Sequence, residues 1–287
     1  MRADLESRAV PDEKSEKKEY LVLRVRGEAQ HDEWIKCYCI PCDEAGIAEP
    51  TLGEKAADSA FRAFEIVFSL LALGLSAPLM ALIAVIVKID SPGPVLFFQR
   101  RVAKSKVMTG EQILKSDKYE VEDSEIVPHR KYWVPQTFWF VKFRTMYADA
   151  RERFPELYDY NYTEEKIKTF AFKVPDDPRA TRAGKWLRES TLDELPNFWN
   201  VLTGEMRLVG PRPELPEMLR NYRPDQMPKF TIKPGVTGMP QVNGRGRLSF
   251  QRTVAYDLEY VEKKSIKLDL KIIFMTVWKI VTRHGAF

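Results

Sequence analysis

The sequence predicts an α+β protein held on one face of a membrane: a monotopic body with a small sheet and interfacial amphipathic helices, anchored by a re-entrant helix-break-helix. Three observations predict it. Residues 66–87 carry 22 positions without a charge, strand-like runs lie on both sides of them, and the whole chain of 287 residues has globular usage, 44% hydrophobic and 30% charged. That usage excludes a mostly disordered chain, a polytopic membrane protein and a disulfide-stapled miniprotein. A net charge of +4 over this length is too small to argue for nucleic acid, and no nucleic-acid partner is expected.

Residues 1–60 read as an appended cytoplasmic segment or small domain. The first residues contain acids and lead to no apolar stretch, so no cleavable signal peptide is expected. A charged run over 12–19 is followed by YLVLRVRG at 20–27, a strand by its alternating β-formers. Cys37, Cys39 and Cys42 are odd in number and close together, which fits a reducing compartment better than a disulfide framework. With His31 they supply four soft ligands. CxCxxC lacks the paired spacing of a zinc finger, so ordinary reduced thiols are the expectation and zinc the alternative.

Residues 61–90 form the membrane segment. At about 1.5 Å per residue the uncharged stretch reaches about 33 Å as a helix, the thickness of a bilayer core. Pro78 sits near its middle beside Ser76, and cations flank both ends: Arg62 before, then Lys88, Arg100, Arg101 and Lys104. A hairpin bent at Pro78 places both basic flanks on the cytoplasmic side. On charge pattern alone a straight spanning helix with a tolerated proline stays open.

The body follows over 91–287. Ser91-Pro92-Gly93-Pro94 is a turn, 95–99 (VLFFQ) a short strand, 105–137 a polar surface insertion without sustained period, and 138–143 (FWFVKF) strand-like or interfacial. Residues 267–283 mix apolar bulk with Lys267, Lys271, Trp278, Lys279 and Arg283, which suits either an interfacial helix or a core helix.

Chemistry concentrates in the second half. In STLDELP at 190–196, Thr191 and Glu194 fit a capping box and Pro196 a helix start, so Asp193 and Glu194 should occupy a first turn. There the orphan amides hold carboxylates ionised. Such acids either cap the helix or serve as nucleophile and metal ligand. Arg212 is fixed between Pro211 and Pro213, preorganised for a phosphate fork. Residues 233–247 alternate glycines with cations and amides, as a backbone nest for anions requires. Lys142, Arg144, Arg179, Arg182, Lys185 and Arg188 add cations that are either a solvated face or, with the acids, a setting for a magnesium-bound diphosphate.

KFRTM at 142–146, DPRATRAGKWLRESTLDELPNFWNVLTGEMRLVGPRPE at 177–214, KPGVTGMPQVNGR at 233–245 and Tyr256-Asp257 resemble the bacterial sugar transferases, the monotopic polyprenyl-phosphate phosphoglycosyl transferases. The resemblance covers about residues 61–287. It implies a catalytic domain over 91–287 on the cytoplasmic face of the cell's inner membrane and a re-entrant membrane helix. The implied reaction moves a sugar 1-phosphate from a nucleotide diphosphosugar to polyprenyl phosphate, with magnesium. Carried over by position, the family's acidic dyad falls on Asp193 and Glu194, with Asp193 as nucleophile and magnesium ligand. Lys142, Arg188, Arg212 and Arg245 match its basic positions and are expected to hold phosphates. The family's adjacent Ser-Pro at the bend is here Ser76-Ala77-Pro78. The expected partners are a nucleotide sugar, polyprenyl phosphate and membrane lipids. A noncatalytic membrane-anchored nucleotide-binding scaffold is the alternative of another class, and a phosphohydrolase of the same diphosphosugars a further one.

Overall fold

The computed structural model describes residues 21–26, 34–43, 52–122, 126–158, 160, 162–170, 176–244 and 248–282. Five antiparallel strands make one sheet in the order β3-β5-β2-β1-β4: β1 Leu21–Arg26, β2 Trp34–Pro41, β3 Leu96–Thr109, β4 Tyr119–Glu122 and β5 Lys131–Phe143. A second, parallel pair joins β6 Arg207–Val209 to β7 Gly235–Thr237. The helices are α1 Leu52–Asp90, α2 Gly110–Leu114, α3 Ala150–Arg153, α4 Glu164–Thr169, α5 Arg182–Ser190, α6 Asn197–Thr203, α7 Met239–Asn243, α8 Phe250–Lys263 and α9 Ile266–Val281.

The strands expected at 20–27, 95–99 and 138–143 are present as β1, β3 and β5. The polar 105–137 stretch is more built than its composition indicates. It holds the end of β3, the capped turn α2, β4 and the start of β5. Its alternation is hidden because the β3–β5 register shifts between Ala103 and Lys106, so the side-chain period slips there.

The described part of the 1–60 arm is woven into the same sheet. Ile40 pairs with Trp133 and Pro41 with Tyr132, while Cys42 N–H donates to Lys131 O at 2.9 Å. Asp43 then receives a bidentate fork from Arg130, at 3.2 and 3.1 Å. Leu23, Cys39 and Ile40 are buried in one cluster with Val102, Tyr132, Met218, Phe230 and Phe250. Cys39 is therefore core and Cys42 half-buried, both as free thiols. His31 lies outside the described residues, as does the side chain of Cys37.

Helix α1 is long and apolar enough to cross a membrane by length and composition. The helix-break expected at Ser76–Pro78 is not a break in helical structure: α1 runs continuously through Pro78. Ser76 Oγ reaches back to Leu73 O at 3.5 Å and lies 3.4 Å from Met80 Sδ, so the hydroxyl is engaged within the helix. Leu70, Leu71, Leu75 and Leu82 are exposed, while Ser69 is buried and Phe68 packs 5.9 Å from the Phe198 ring, and the polar grips on the body lie on either side of the exposed stretch. At the near end buried Glu65 accepts from Arg207 Nε at 3.1 Å and Leu208 N–H at 2.9 Å, and Arg62 donates to Leu202 O at 3.1 Å. At the far end Arg144 caps the orphan carbonyls, donating to Val87 O at 3.3 Å, to Ser91 O at 2.6 Å and to Pro92 O. Gly93 turns the chain there at φ 123°, and an added Cβ would lie 2.3 Å from Arg144 Nη1, so the turn needs glycine. Arg144, counted above among the cations near the acids, is thus spent on the anchor.

Helix α9 confirms a half-exposed apolar helix over 266–281: Ile272 is core, while Leu270, Phe274, Val277 and Trp278 are exposed on the other side.

Candidate active site

Strand register builds the first wall. On β3 and β5, Phe97 pairs with Lys142, Gln99 with Phe140 and Arg101 with Phe138, so these six side chains share one face. That face presents Arg101, Phe140 and Lys142 to an open cleft of about 380 Å³. Glu194, Asn197, Met206, Arg212, Pro213, Gly235, Val236 and Gln241 complete its lining.

The acids come from a sharp turn. Thr181 caps α5 by accepting from Gly184 N–H at 3.0 Å, and Gly184 packs so closely on the end of the KFRTM segment that an added Cβ would meet Thr145 O at 2.0 Å. Thr191 ends α5 in the left-handed region at φ 64°, and the chain enters a 3-10 turn, Leu192–Glu194, before Pro196 opens α6. The expected capping box is therefore corrected. An N-cap residue needs extended backbone, and Thr191 in the left-handed conformation makes no side-chain cap bond. Pro196 at the helix start is as expected, and the two acids sit in the turn rather than in the first turn of α6.

Asp193 is only 5% exposed. Burial first, then the charge of Glu194, pushes its carboxyl up to about 6, against the pull of Lys142 and Arg188. Lys142 is shifted down by burial, with Asp193 opposing, so acid and amine lie within each other's field. Asp177 clamps the next cations: it accepts a bidentate fork from Arg179 at 2.8 and 2.9 Å and a further bond from Arg188 Nη1 at 3.1 Å. Burial alone would raise Asp177, yet these bonds hold it down to about 2. Arg188 is thereby oriented beside Asp193 rather than lining the cleft.

Arg212 projects from the Pro211–Pro213 turn as an exposed lining residue. Gly210 and Gly235 let that turn lie against β7, since an added Cβ at Gly235 would meet Gly210 N at 2.0 Å. The expected anion nest is only partly described. Gly235 and Gly238 serve close backbone packing and Gly244 lies against the Leu248 side chain, while Arg245, with 246 and 247, lies outside the described residues.

Of three further lining residues, Gln241 lies in the expected nest segment, while Arg101 and Asn197 were not picked out as site residues from sequence. Arg101 donates to Pro213 O at 3.1 Å and Gln99 Oε1 at 2.9 Å, and burial together with the Arg212 charge lowers it to about 10. Arg101 Nε, Asn197 Oδ1 and Gln241 Oε1 are buried polar atoms with no protein partner, as expected of groups that meet a polar ligand. The usable signal was the two-residue strand period, which separates Arg101 from Arg100, stacked 4.3 Å from the Trp139 ring.

No cluster of three His, Cys, Asp or Glu side chains forms among the described residues. Asp193, Glu194 and the unpartnered Asn197 oxygen still fit magnesium, which takes one or two carboxylates and leaves its other positions to water and substrate phosphates.

The sequence model of the family described as bacterial sugar transferase matches residues 56–115 and 128–283. An undecaprenyl-phosphate glucose phosphotransferase of Komagataeibacter xylinus is 35% identical over 237 residues, 79% of this chain and 36% of that protein. A UDP-glucose:undecaprenyl-phosphate glucose-1-phosphate transferase of Escherichia coli is 36% identical over 234 residues, 79% of this chain and 41% of that protein. The chain thus spans about two fifths or less of those two relatives. The exopolysaccharide production protein ExoY of Rhizobium meliloti is 30% identical over 245 residues, covering 85% of this chain and 93% of that protein. The matched region includes both acids, Lys142, Arg188, Arg212 and the apolar helix, and the chain belongs to the bacterial sugar transferase family.

Proposed function

We propose that the protein transfers a sugar 1-phosphate from a UDP-sugar to polyprenyl phosphate, the first membrane step in building a glycan such as an exopolysaccharide, an O-antigen or a glycoprotein glycan. The observation that carries this reading is Asp193, a nearly buried carboxylate in the field of Lys142 and Arg188 beside a cleft walled by Arg101 and Arg212. One Asp193 oxygen attacks the sugar-linked phosphorus. A P–O bond to Asp193 forms as the bond to the nucleoside monophosphate breaks, and UMP leaves with the bonding pair. A phosphate oxygen of the lipid then attacks the same phosphorus, releasing the Asp193 carboxylate and giving polyprenyl-diphosphate-sugar. Lys142, Arg101 and Arg212 balance the charge of the diphosphate, and the low exposure of Asp193 protects the phosphosugar-aspartyl intermediate from water. Glu194 stands beside Asp193 at the cleft wall. Magnesium held by Asp193 and Glu194, with Asn197, would supply further charge neutralisation on the diphosphate.

The reading includes a re-entrant α1 with the body on the cytoplasmic face of the inner membrane. Sheet pairing supports it: β2 precedes α1 and β5 follows it, yet the two are hydrogen-bonded. A helix that spanned the bilayer would put these strands on opposite sides. The anchors at Glu65 and Arg144 likewise bind both ends of α1 to one body.

Membranes carrying the protein are expected to release UMP when given polyprenyl phosphate and the right member of a panel of UDP-glucose, UDP-galactose and UDP-N-acetylglucosamine. No release from any of them points to the scaffold reading, and release that ignores the lipid points to a phosphohydrolase. For topology, Ala60→Cys and Pro94→Cys, placed singly in a variant without native cysteines, are both expected to resist an impermeant thiol reagent in intact cells and to label after lysis. Labelling of only one of the two in intact cells would establish a spanning helix.

A further inference from the structure

Beneath the Arg212 turn lies a charged network that none of the steps above uses. Lys229 is 1% exposed, and its ammonium lies 3.1 Å from Asp257 Oδ2 and 3.5 Å from Glu214 Oε2. It also donates to Tyr222 Oη at 2.7 Å, and the Tyr222 hydroxyl donates to Glu214 Oε2 at 2.8 Å. All four side chains are buried. Burying charge is costly unless each group is paired, and one ammonium facing two carboxylates leaves negative charge over.

That surplus points toward the cleft. Asp257 is bridged through Lys229 to the turn that carries Arg212. Glu214, two residues further along the turn, accepts from Leu215 N–H through its side chain at 3.1 Å and from Val102 N–H through its carbonyl at 2.8 Å. Pro213 O, between them, holds Arg101 Nη1. The Glu214 charge also sits in the field of Arg101 and favours its protonated form against the repulsion of Arg212. Two arginines thus share a cleft wall because carboxylates stand behind them.

We propose that Asp257, with Lys229 and Glu214, is a positioning residue that fixes the Arg212 turn, and through it Arg101, in the geometry that grips the diphosphate of the nucleotide sugar. The inference rests on the transferase reading above. Asp257 reaches this place from α8, whose buried face also carries Thr253, Val254 and Tyr260, so the helix delivers a carboxylate to the back of the turn by ordinary core packing.

The test is a double-mutant cycle on the full chain in membranes, reading UMP release with the most active UDP-sugar and inhibition by UDP. Asp257→Asn keeps shape and is expected to raise KM and the UDP inhibition constant about tenfold while kcat changes about threefold or less. In a background with both Arg101→Ala and Arg212→Ala the same substitution should change KM by about twofold or less, because both groups it acts through are gone. Glu214→Gln should behave in the same way and serves if Asp257→Asn fails to fold. A tenfold KM effect that persists without both arginines, or an unchanged KM in the parent background, overturns the proposal. A parent protein that releases no UMP instead overturns the transferase reading.

Discussion

Asp193→Asn is expected to abolish turnover and at the same time to make the protein more stable. The amide keeps the shape of the carboxyl and loses the charge that the proposed attack on phosphorus needs, so release should fall by about 10³-fold or more with expression and membrane association intact. The stability gain follows from the carboxyl being pushed up to about 6, chiefly by burial. Between about pH 4 and pH 6 the folded protein holds a proton that the unfolded chain has lost, so stability falls as pH rises through that window. At neutral pH the ionised group costs on the order of 2 kcal/mol, which the amide removes. The same shift sets an acid limb in the parent: turnover should decline as pH drops through about 6, where Asp193 takes up its proton. Thermal unfolding in detergent and UMP release check both halves. Intact mass after incubation with UDP-sugar and no lipid should show a phosphosugar adduct on the parent alone. Near wild-type transfer by Asp193→Asn would end its assignment as nucleophile.

Glu65→Ala is expected to loosen the apolar helix α1 from the body, at a cost of about 3–5 kcal/mol. Glu65 is fully buried at the last turn before the uncharged stretch, and it holds both the Arg207 guanidinium and the Leu208 N–H. Removing it leaves Arg207 with Asp58 alone, at the rim, and leaves a buried amide without a partner. Arg207 also lies 5.2 Å from the Phe61 ring, so the start of α1 loses its electrostatic and aromatic anchor together. Glu65→Gln keeps an acceptor for Leu208 and should lose less. Denaturant unfolding of the purified chain reads the difference, and a loss under about 1 kcal/mol for Glu65→Ala would mean that apolar packing of α1 carries the contact.

The groups that the proposed transfer uses were largely legible because short-range chemistry wrote them: acids in STLDELP, an arginine between prolines, a lysine in KFRTM. What sequence could not give was partnership over distance. No local pattern states that residues 40 and 41 pair with 133 and 132, because strand propensity describes a half-buried surface and not the neighbour that covers it. The capping box at Thr191 failed for a different reason. Its residue types are right, but α5 ends one residue before the turn and forces Thr191 to a positive φ that the motif does not allow. Arg101 was visible as a flanking cation but not as a cleft residue, since counting charges along a strand ignores that neighbours point to opposite faces.

The interleaving of the sheet around α1 has a cost in the order of synthesis. The β1–β2 hairpin leaves the ribosome well before β4 and β5, with the whole apolar helix made in between. At about 5–20 residues per second the hairpin waits on the order of ten seconds with both outer edges unpaired. Unpaired edges recruit other strands until β4 and β5 arrive to cover them. In the proposed re-entrant topology, completion of the sheet then works as a retention signal. Once β5 has zipped onto β2, the helix ends are tied together and translocation of either end would require breaking the core.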